Sequence, residues 1–212
     1  MKHLHLACFL KVQYCCLLLL LITFSVSGQS AKEVPSRHWD LHFDDECYLN
    51  IKGETNVNNF QCDYNIDPTS DNKEVITFNR DAGLLDFKDS ELKVEIKRLD
   101  CHNKMMTNDM RDLLDADNFP YLIMELVMLK FENNYESAEI AFNGKLKTNL
   151  TIAGQTREVW LPVKIQDRNS ELLIKGHTIV DITDFGLTPP TKMLGAVKVR
   201  KHIDIQLAFK AK

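Results

Sequence analysis

The clearest feature of the chain is a period of two in its apolar residues. Near the end, Val197, Val199, Ile203, Ile205, Leu207 and Phe209 alternate with Lys198, Arg200, His202, Asp204, Gln206 and Lys210. Successive side chains of a strand point to opposite faces, so this run predicts a long strand with one dry and one wet face. Lys201 alone carries a charge on the apolar parity, which predicts a bulge at that point. Ile140, Phe142, Leu146, Leu150 and Ile152 alternate in the same way with Glu139, Asn143, Lys145, Lys147 and Asn149. Val159, Leu161, Val163 and Ile165 follow, opposite Glu158, Lys164 and Gln166, and Ala153-Gly154-Gln155 between the two runs is a short hairpin connection. Shorter runs precede them at Cys47-Leu49-Ile51, Phe60-Cys62-Tyr64-Ile66, Ile76-Phe78 and Leu92-Val94-Ile96. Two stretches, Tyr121 to Phe131 and Leu172 to Ile182, are apolar on both parities in places, which predicts cover on their outer side.

One segment departs from the pattern. Thr107-Asn108-Asp109-Met110-Arg111-Asp112-Leu113-Leu114 offers a capping residue, early acids and paired leucines, and predicts a short helix from Thr107 that ends before Pro120. About eight to ten amphipathic strands with one helix make an all-β protein, either a sandwich or a closed barrel. Closure removes the exposed edges that such long strands would otherwise present, so the expected architecture is an antiparallel barrel.

The alternation also names the interior. The inward candidates are Phe60, Ile76, Phe78, Ile140 and Phe142 on the earlier strands, and Leu146, Leu161, Val163, Ile203 and Ile205 on the later ones. An eight-stranded barrel can be filled by its own side chains or can hold one small ligand. Patterning fixes which face is dry and not how full it is, so a packed core and an apolar binding cavity both remain open at this level.

The N-terminal segment changes the picture of where the protein works. Lys2 and Lys11 precede a mostly apolar run from Val12 to Val26, and Val26-Ser27-Gly28 has the small residues of a signal-peptidase site. The run is short for a membrane span. We therefore expect a signal peptide over 1–28, a disordered lead-in over 29–37 and the barrel over 38–212, with the mature protein periplasmic or secreted and without a membrane span. Cleavage removes two lysines and no acid, taking the net charge from −4 to −6. A mildly acidic chain without clustered Lys and Arg does not fit nucleic acid, nor electrostatic docking to anionic membranes.

Candidate chemistry is sparse. Beyond residue 28 the histidines are His38, His42, His102, His177 and His202. His38 and His42 share a strand face, but no further ligand stands at useful spacing, and zinc needs three or four. Surface histidines are the plainer account. No GxSxG elbow is present, and Ser90, Ser137 and Ser170 fall in polar connections. Asp44-Asp45 and Asp115-Asp117 lie beside turns or a helix end, where Asp ordinarily serves the backbone. The glycines form no phosphate-cradling loop. We expect no catalytic residues, no metal and no cofactor, so function falls to a surface or to the interior. Three cysteines remain after cleavage, Cys47, Cys62 and Cys101, an odd number that leaves one outside any disulfide. With Glu54-Thr55 as a two-residue turn, Cys47 and Cys62 would face each other across a hairpin.

From His38 to Lys212 the chain resembles the YceI-like family of exported, lipocalin-like barrels. The resemblance rests on four stretches. They are Leu49-Asn50-Ile51-Lys52-Gly53-Glu54-Thr55-Asn56-Val57-Asn58-Asn59-Phe60 and the Met105-Met106-Thr107-Asn108-Asp109-Met110 segment leading to Phe119-Pro120. The other two are Leu150-Thr151-Ile152-Ala153-Gly154-Gln155-Thr156-Arg157-Glu158-Val159 and Asp184-Phe185-Gly186-Leu187-Thr188-Pro189-Pro190. It implies an eight-stranded antiparallel barrel that holds a polyisoprenoid or similar apolar lipid in its lumen, with no catalytic residues. It also favours a Cys62–Cys101 disulfide over the hairpin pairing. Many relatives carry an Arg two residues before the Asp-Phe-Gly stretch, and Ile182 stands there instead. The resulting expectation is lumenal binding of a long apolar lipid, for transport or storage. The alternative is a filled scaffold whose loops bind a protein partner.

Overall fold

Strands form wherever the period-two pattern is strongest. The computed structural model describes residues 37–42, 44–66, 75–81, 83–132, 141–168 and 171–212. The expected signal peptide, Ile140, Ser137, Ser170 and all of the expected lead-in except Arg37 lie outside these residues; Arg37 is the first residue of β1. The elements are β1 (Arg37–His42), β2 (Tyr48–Thr55), β3 (Asn59–Tyr64), β4 (Val75–Asp81), β5 (Leu84–Lys88), β6 (Glu91–Glu95) and β7 (Leu99–Asp100). Helix α1 (Lys104–Leu113) follows, then β8 (Tyr121–Phe131), β9 (Ala141–Ile152), β10 (Gln155–Arg168), β11 (Glu171–Asp181), β12 (Thr191–Lys192) and β13 (Val197–Ala211).

Eight strands close a ring in the order β1-β4-β5-β8-β9-β10-β11-β13, and the pairs Leu41↔Ala211 and His42↔Lys210 return β13 to β1. Every pairing in the ring is antiparallel. This is the closed antiparallel barrel that the pattern predicts. The ring is complete at one end only. β2 continues beyond β1 along the same edge of β13, followed outward by β3 and β7, while β6 continues beyond β5 along β8. Among the described residues no pairing joins β3 or β7 to β6, and α1 lies on that side of the barrel. We call the two ends the closed end and the helix end.

Two bulges explain apparent exceptions in the pattern. The register of β13 against β2 shifts between Val199 and Ile203, so Lys201 leaves the apolar face and pairs with Asp181 at 2.6 Å. A second shift, between Leu126 and Met128 of β8, changes parity in mid-strand. Leu122, Met124 and Leu126 are buried before it and Leu129 and Phe131 after it. The two-sided look of Tyr121 to Phe131 is thus one dry face whose parity switches. In β11, by contrast, Leu173 is truly buried on the outer face. It stands opposite Lys210, which the 44–46 loop covers through Asp44 and Glu46.

Two local expectations need correction. The helix begins three residues before Thr107: Asn103 is the cap, its Oδ1 accepting from Met105 N and Met106 N at 3.0 and 3.2 Å. Thr107 is buried within the helix, its hydroxyl accepting from Cys101 N at 3.0 Å and donating to Asp100 Oδ1 at 3.1 Å. A buried pair of hydrogen bonds to the preceding strand thus takes the residue that pattern alone assigns to the cap. The β2–β3 turn is Asn56-Val57, not Glu54-Thr55: Thr55 N donates to Asn58 O at 2.7 Å, and Thr55 Oγ1 accepts from Val57 N and Asn58 N. This register puts Ile51, not Cys47, opposite Cys62. The β9–β10 hairpin lies where expected, with Ala153 and Gly154 at φ of 46° and 74°, but Gln155, expected in the connection, is the first residue of β10 and pairs with Ile152.

Candidate functional site

The inner face is filled at the closed end. Phe131 and Phe142 meet edge-on with ring centroids 5.3 Å apart, and Phe78 touches Trp39 at 4.5 Å and Phe87 at 6.3 Å. Leu41, Leu129, Ile165 and Leu207 are buried in the same core. Among the described residues, large inward side chains pack this half against one another.

The helix end is hollow. A cavity of about 390 Å³ lies between α1 and the strand ends, within the roughly 300–1,000 Å³ range of small-ligand sites. One wall is strand: Ile51, Phe60, Val180, Val199, Ile203 and Ile205. The other is helix, where Met106, Met110 and Leu113 recur at the spacing that places them on one face. Leu122, Ile152 and Ile182 complete its apolar surface. The polar residues that line it include Thr55, Asn58 and Asn103, with Asp109 and Lys192 forming an ion pair of 2.7 Å between helix and hairpin.

Why the hollow exists can be read from individual residues. The inward positions of β2 and β3 include Gly53 and Thr55, which fill little space. A Cβ at Gly53 would lie 2.2 Å from the Phe60 ring, so the ring lies flat against the strand where any other residue would push it away. The helix is held across the open side rather than collapsed into it. Cys62 and Cys101 are joined in a disulfide that ties β3 to the segment entering α1. Arg111 Nη2 donates to Lys97 O and Leu99 O at 2.6 and 3.3 Å, fixing the far half of the helix to β7. Cys47 lies elsewhere, buried, with its thiol donating to Asp44 Oδ1 at 3.6 Å; burial pushes that thiol above its ordinary pKa.

The inward candidates divide between the two halves. Phe60, Ile203 and Ile205 line the cavity. Ile76, Phe78, Phe142, Leu146, Leu161 and Val163 are buried in the solid core and do not reach it. Ile140 lies outside the described residues. Pattern reasoning missed Ile51, Val180, Ile182 and the helix methionines. The Met106, Met110, Leu113 spacing was the available signal for the helix face. Ile182 stands where the resemblance expects an Arg and here adds to the apolar lining.

Apart from Asp109–Lys192, the ionic contacts below sit outside this lining. Asp181 accepts from Lys201 and from Thr183, which together hold its carboxyl well below the ordinary range, and the Asp181 carboxylate in turn raises Lys201. At the closed end Lys210 contacts Asp44 at 2.5 Å, Glu46 at 2.7 Å and Glu171 at 3.4 Å; its pKa is raised, and that of Asp44 is lowered. His102 contacts Asp63 at 2.6 Å, His177 contacts Asp204 at 2.8 Å, and His38 is exposed. Ser90 is buried, its hydroxyl accepting from Thr77 N and donating to Lys88 O, a role in shaping the β5–β6 connection.

The match to known proteins follows this geometry. A family model for the YceI-like domain matches residues 54–211, from the β2–β3 hairpin through β13. The chain belongs to the YceI-like family. Among solved structures, this YceI-like chain is similar to Burkholderia cenocepacia BcnA, with a TM-score of 0.53 and 14% identity over 79% of this chain and 97% of that one. It is similar also to a polyisoprenoid binding domain from Saccharophagus degradans implicated in plant cell wall breakdown, with a TM-score of 0.53 and 8% identity over 82% and 97% of the two chains. At these identities the likeness is one of fold. No curated protein matches by sequence.

Proposed function

We propose that this YceI-like protein binds a long apolar lipid of the polyisoprenoid type in the cavity at the helix end, and that it does so outside the cytoplasm, in a periplasm or in the secreted state. The observation that carries this reading is the cavity itself, about 390 Å³ lined mainly by aliphatic, methionine and Phe60 side chains. Such a lining recognises a ligand by area removed from water, at ~0.8 kcal/mol per buried CH₂. Family membership supports the reading, as does the polyisoprenoid-binding description of the Saccharophagus degradans neighbour. Binding rather than catalysis fits the lining. Its cysteine is in a disulfide, its carboxylate is paired with Lys192, and no histidine is among its residues. Export fits the N-terminal sequence, and transport or storage is the role a soluble carrier of such a lipid would serve.

The test is organic extraction and native mass spectrometry of protein purified from its own host, comparing wild type with Ile205→Asp. A carboxylate at Ile205 faces the cavity, where a lipid cannot offset its desolvation. Phe142 would be the wrong place for such a charge, because it lies in the solid half. The reading expects a lipid on wild type and none on folded Ile205→Asp. A wild-type protein that carries no lipid would support the filled-scaffold alternative instead.

A further inference from the structure

Among the described residues nine large hydrophobic side chains are exposed, and four of them gather at one place: Val57, Met105, Met193 and Leu194. Val57, Met105 and Met193 also line the cavity, so they stand at its mouth, and Leu194 is the next residue at the hairpin tip. Met193 is 76% exposed and Leu194 fully so.

The backbone at this tip is unusual for such residues. Met193 and Leu194 have φ of 52° and 53°, followed by Gly195 at 90°. Left-handed backbone is disfavoured for residues with a Cβ and is ordinarily supplied by Gly, Asn or Asp. The turn does not depend on apolar side chains for its shape. Gly195 N donates to Lys192 O and Ala196 N to Met193 O, both at 3.1 Å. Asn56 of the neighbouring turn donates to Ala196 O at 2.9 Å and accepts from Lys198 N at 2.8 Å. The hairpin thus projects two apolar side chains into solvent from a turn that suits polar ones.

Charge at the tip follows the same direction. From Phe185 to Ile203 the sequence holds Lys192, Lys198, Arg200 and Lys201 and no acid, in a chain whose net charge is negative. Lys192, Arg200 and Lys201 are paired with Asp109, Glu54 and Asp181 on neighbouring elements. The tip therefore presents no acid of its own that a headgroup phosphate would repel.

We infer that the Met193–Leu194 tip, with Val57 and Met105, is a docking surface for a lipid bilayer that sets the cavity mouth against the acyl region. This rests on the reading of the cavity as a lipid site. A long apolar chain is penalised for every CH₂ it exposes to water, so its entry route must abut an apolar phase at the moment of transfer. Unbranched Met and γ-branched Leu at a projecting tip suit a fluid phase, which demands no matching shape, and interfacial anchoring of this kind needs only a small apolar insertion.

The test is flotation of the full exported protein with two sets of vesicles. One is phosphatidylcholine alone; the other is phosphatidylethanolamine mixed with phosphatidylglycerol. The double variant Met193→Asn/Leu194→Gly gives the turn residues its backbone prefers, so it should fold with unchanged or raised melting temperature. We expect wild type to float with vesicles and the double variant to partition at least about tenfold less, ~1.4 kcal/mol by the affinity relation. Val57→Ser, in a separate turn, should reduce flotation independently. Leu194→Gly alone, at a residue outside the cavity lining, should also slow lipid uptake from vesicles, yet reach wild-type content when loaded from detergent. Wild type that floats with neither vesicle, or variants that float as well as wild type, would overturn the inference, and so would a tip bound only by a protein partner. Lipid content separates this from the cavity reading: flotation without extractable lipid defeats the cavity and leaves docking intact, while extractable lipid without flotation does the reverse.

Discussion

The two ends of this barrel are built from the same strands and the same alternation, yet one is solid and the other hollow. At the closed end β1 joins β4 to β13, the ring is complete, and inward positions carry Phe78, Phe131, Phe142 and Phe209. At the helix end no pairing among the described residues joins β7 to β6, inward positions include Gly53 and Thr55, and a helix fixed by a disulfide and by Arg111 stands off from the strands. The difference teaches that a dry face is a necessary condition for a lumen and not a sufficient one. Whether it encloses space depends on ring closure and on what holds the covering element away.

Substitutions can break that contrast, and the largest effect belongs to the solid end. Phe142→Ala should destabilise by about 3–5 kcal/mol in urea unfolding, the usual range for a buried Phe, while lipid content per folded molecule stays at the wild-type level. An equally large loss of lipid would mean that the two halves are one site. Next comes the strap at the hollow end. Replacing Cys62 and Cys101 together by Ala should cost about 2–4 kcal/mol, for a loop closed over a sequence separation of 39. Hydrogen exchange should then rise first in α1, since the helix loses its tie to β3. A third change sharpens the contrast by filling the hollow. Val180→Phe points into the cavity, so it should change stability by less than ~1 kcal/mol, below the usual 1–3 kcal/mol of overpacking. Mass spectrometry should nonetheless find the lipid gone. Gly53→Ala is subtler: the new methyl must turn the Phe60 ring into the cavity, lowering lipid content, and Phe60→Leu in the same chain should restore it.

The smallest expected effect is electrostatic, and it touches both ends. The Asp44 and Asp181 carboxyls lie below their ordinary value of 3.8, so the stability they add is complete above that value and fades as pH falls through their folded-state values. Lys210 and Lys201 lie above 10.5, so their contribution is complete below it and fades as pH rises through the raised values. Stability should therefore be flat through neutral pH with respect to these pairs. Asp181→Asn should flatten the acid limb slightly in urea melts taken across a pH series, leaving the closed end's Asp44–Lys210 share intact.

Much of this architecture was legible in the chain. Alternation along β9, β10 and β13 marked the strands, the wet and dry faces and the place of the hairpin at Ala153-Gly154-Gln155, because a period of two is a local consequence of backbone geometry. Lys201 marked its bulge for the same reason, as the one charge on the wrong parity. Failures came where a distant partner outbid a local preference. Thr107 looks like a helix cap, but the strand before it claims its hydroxyl, and Asn103 caps instead. The β2–β3 register follows from Thr55 closing its turn on Asn58, which sequence pattern does not rank above the neighbouring choices.

For the candidate site the division is sharper. By itself the sequence determined that the interior is apolar and, through four stretches of resemblance, which family the barrel joins. It could not separate Ile205 from Phe142, since both sit mid-strand on a dry face. Only the tertiary structure decided that Ile205 lines a cavity while Phe142 packs against Phe131. The reason is physical: parity is a property of one strand, whereas empty space is a property of all the side chains that converge on it. Cavity volume depends on where the ring opens, how far the Cys62–Cys101 strap holds α1 from the sheet, and the absence of a single Cβ at Gly53, none of which is written in any one segment.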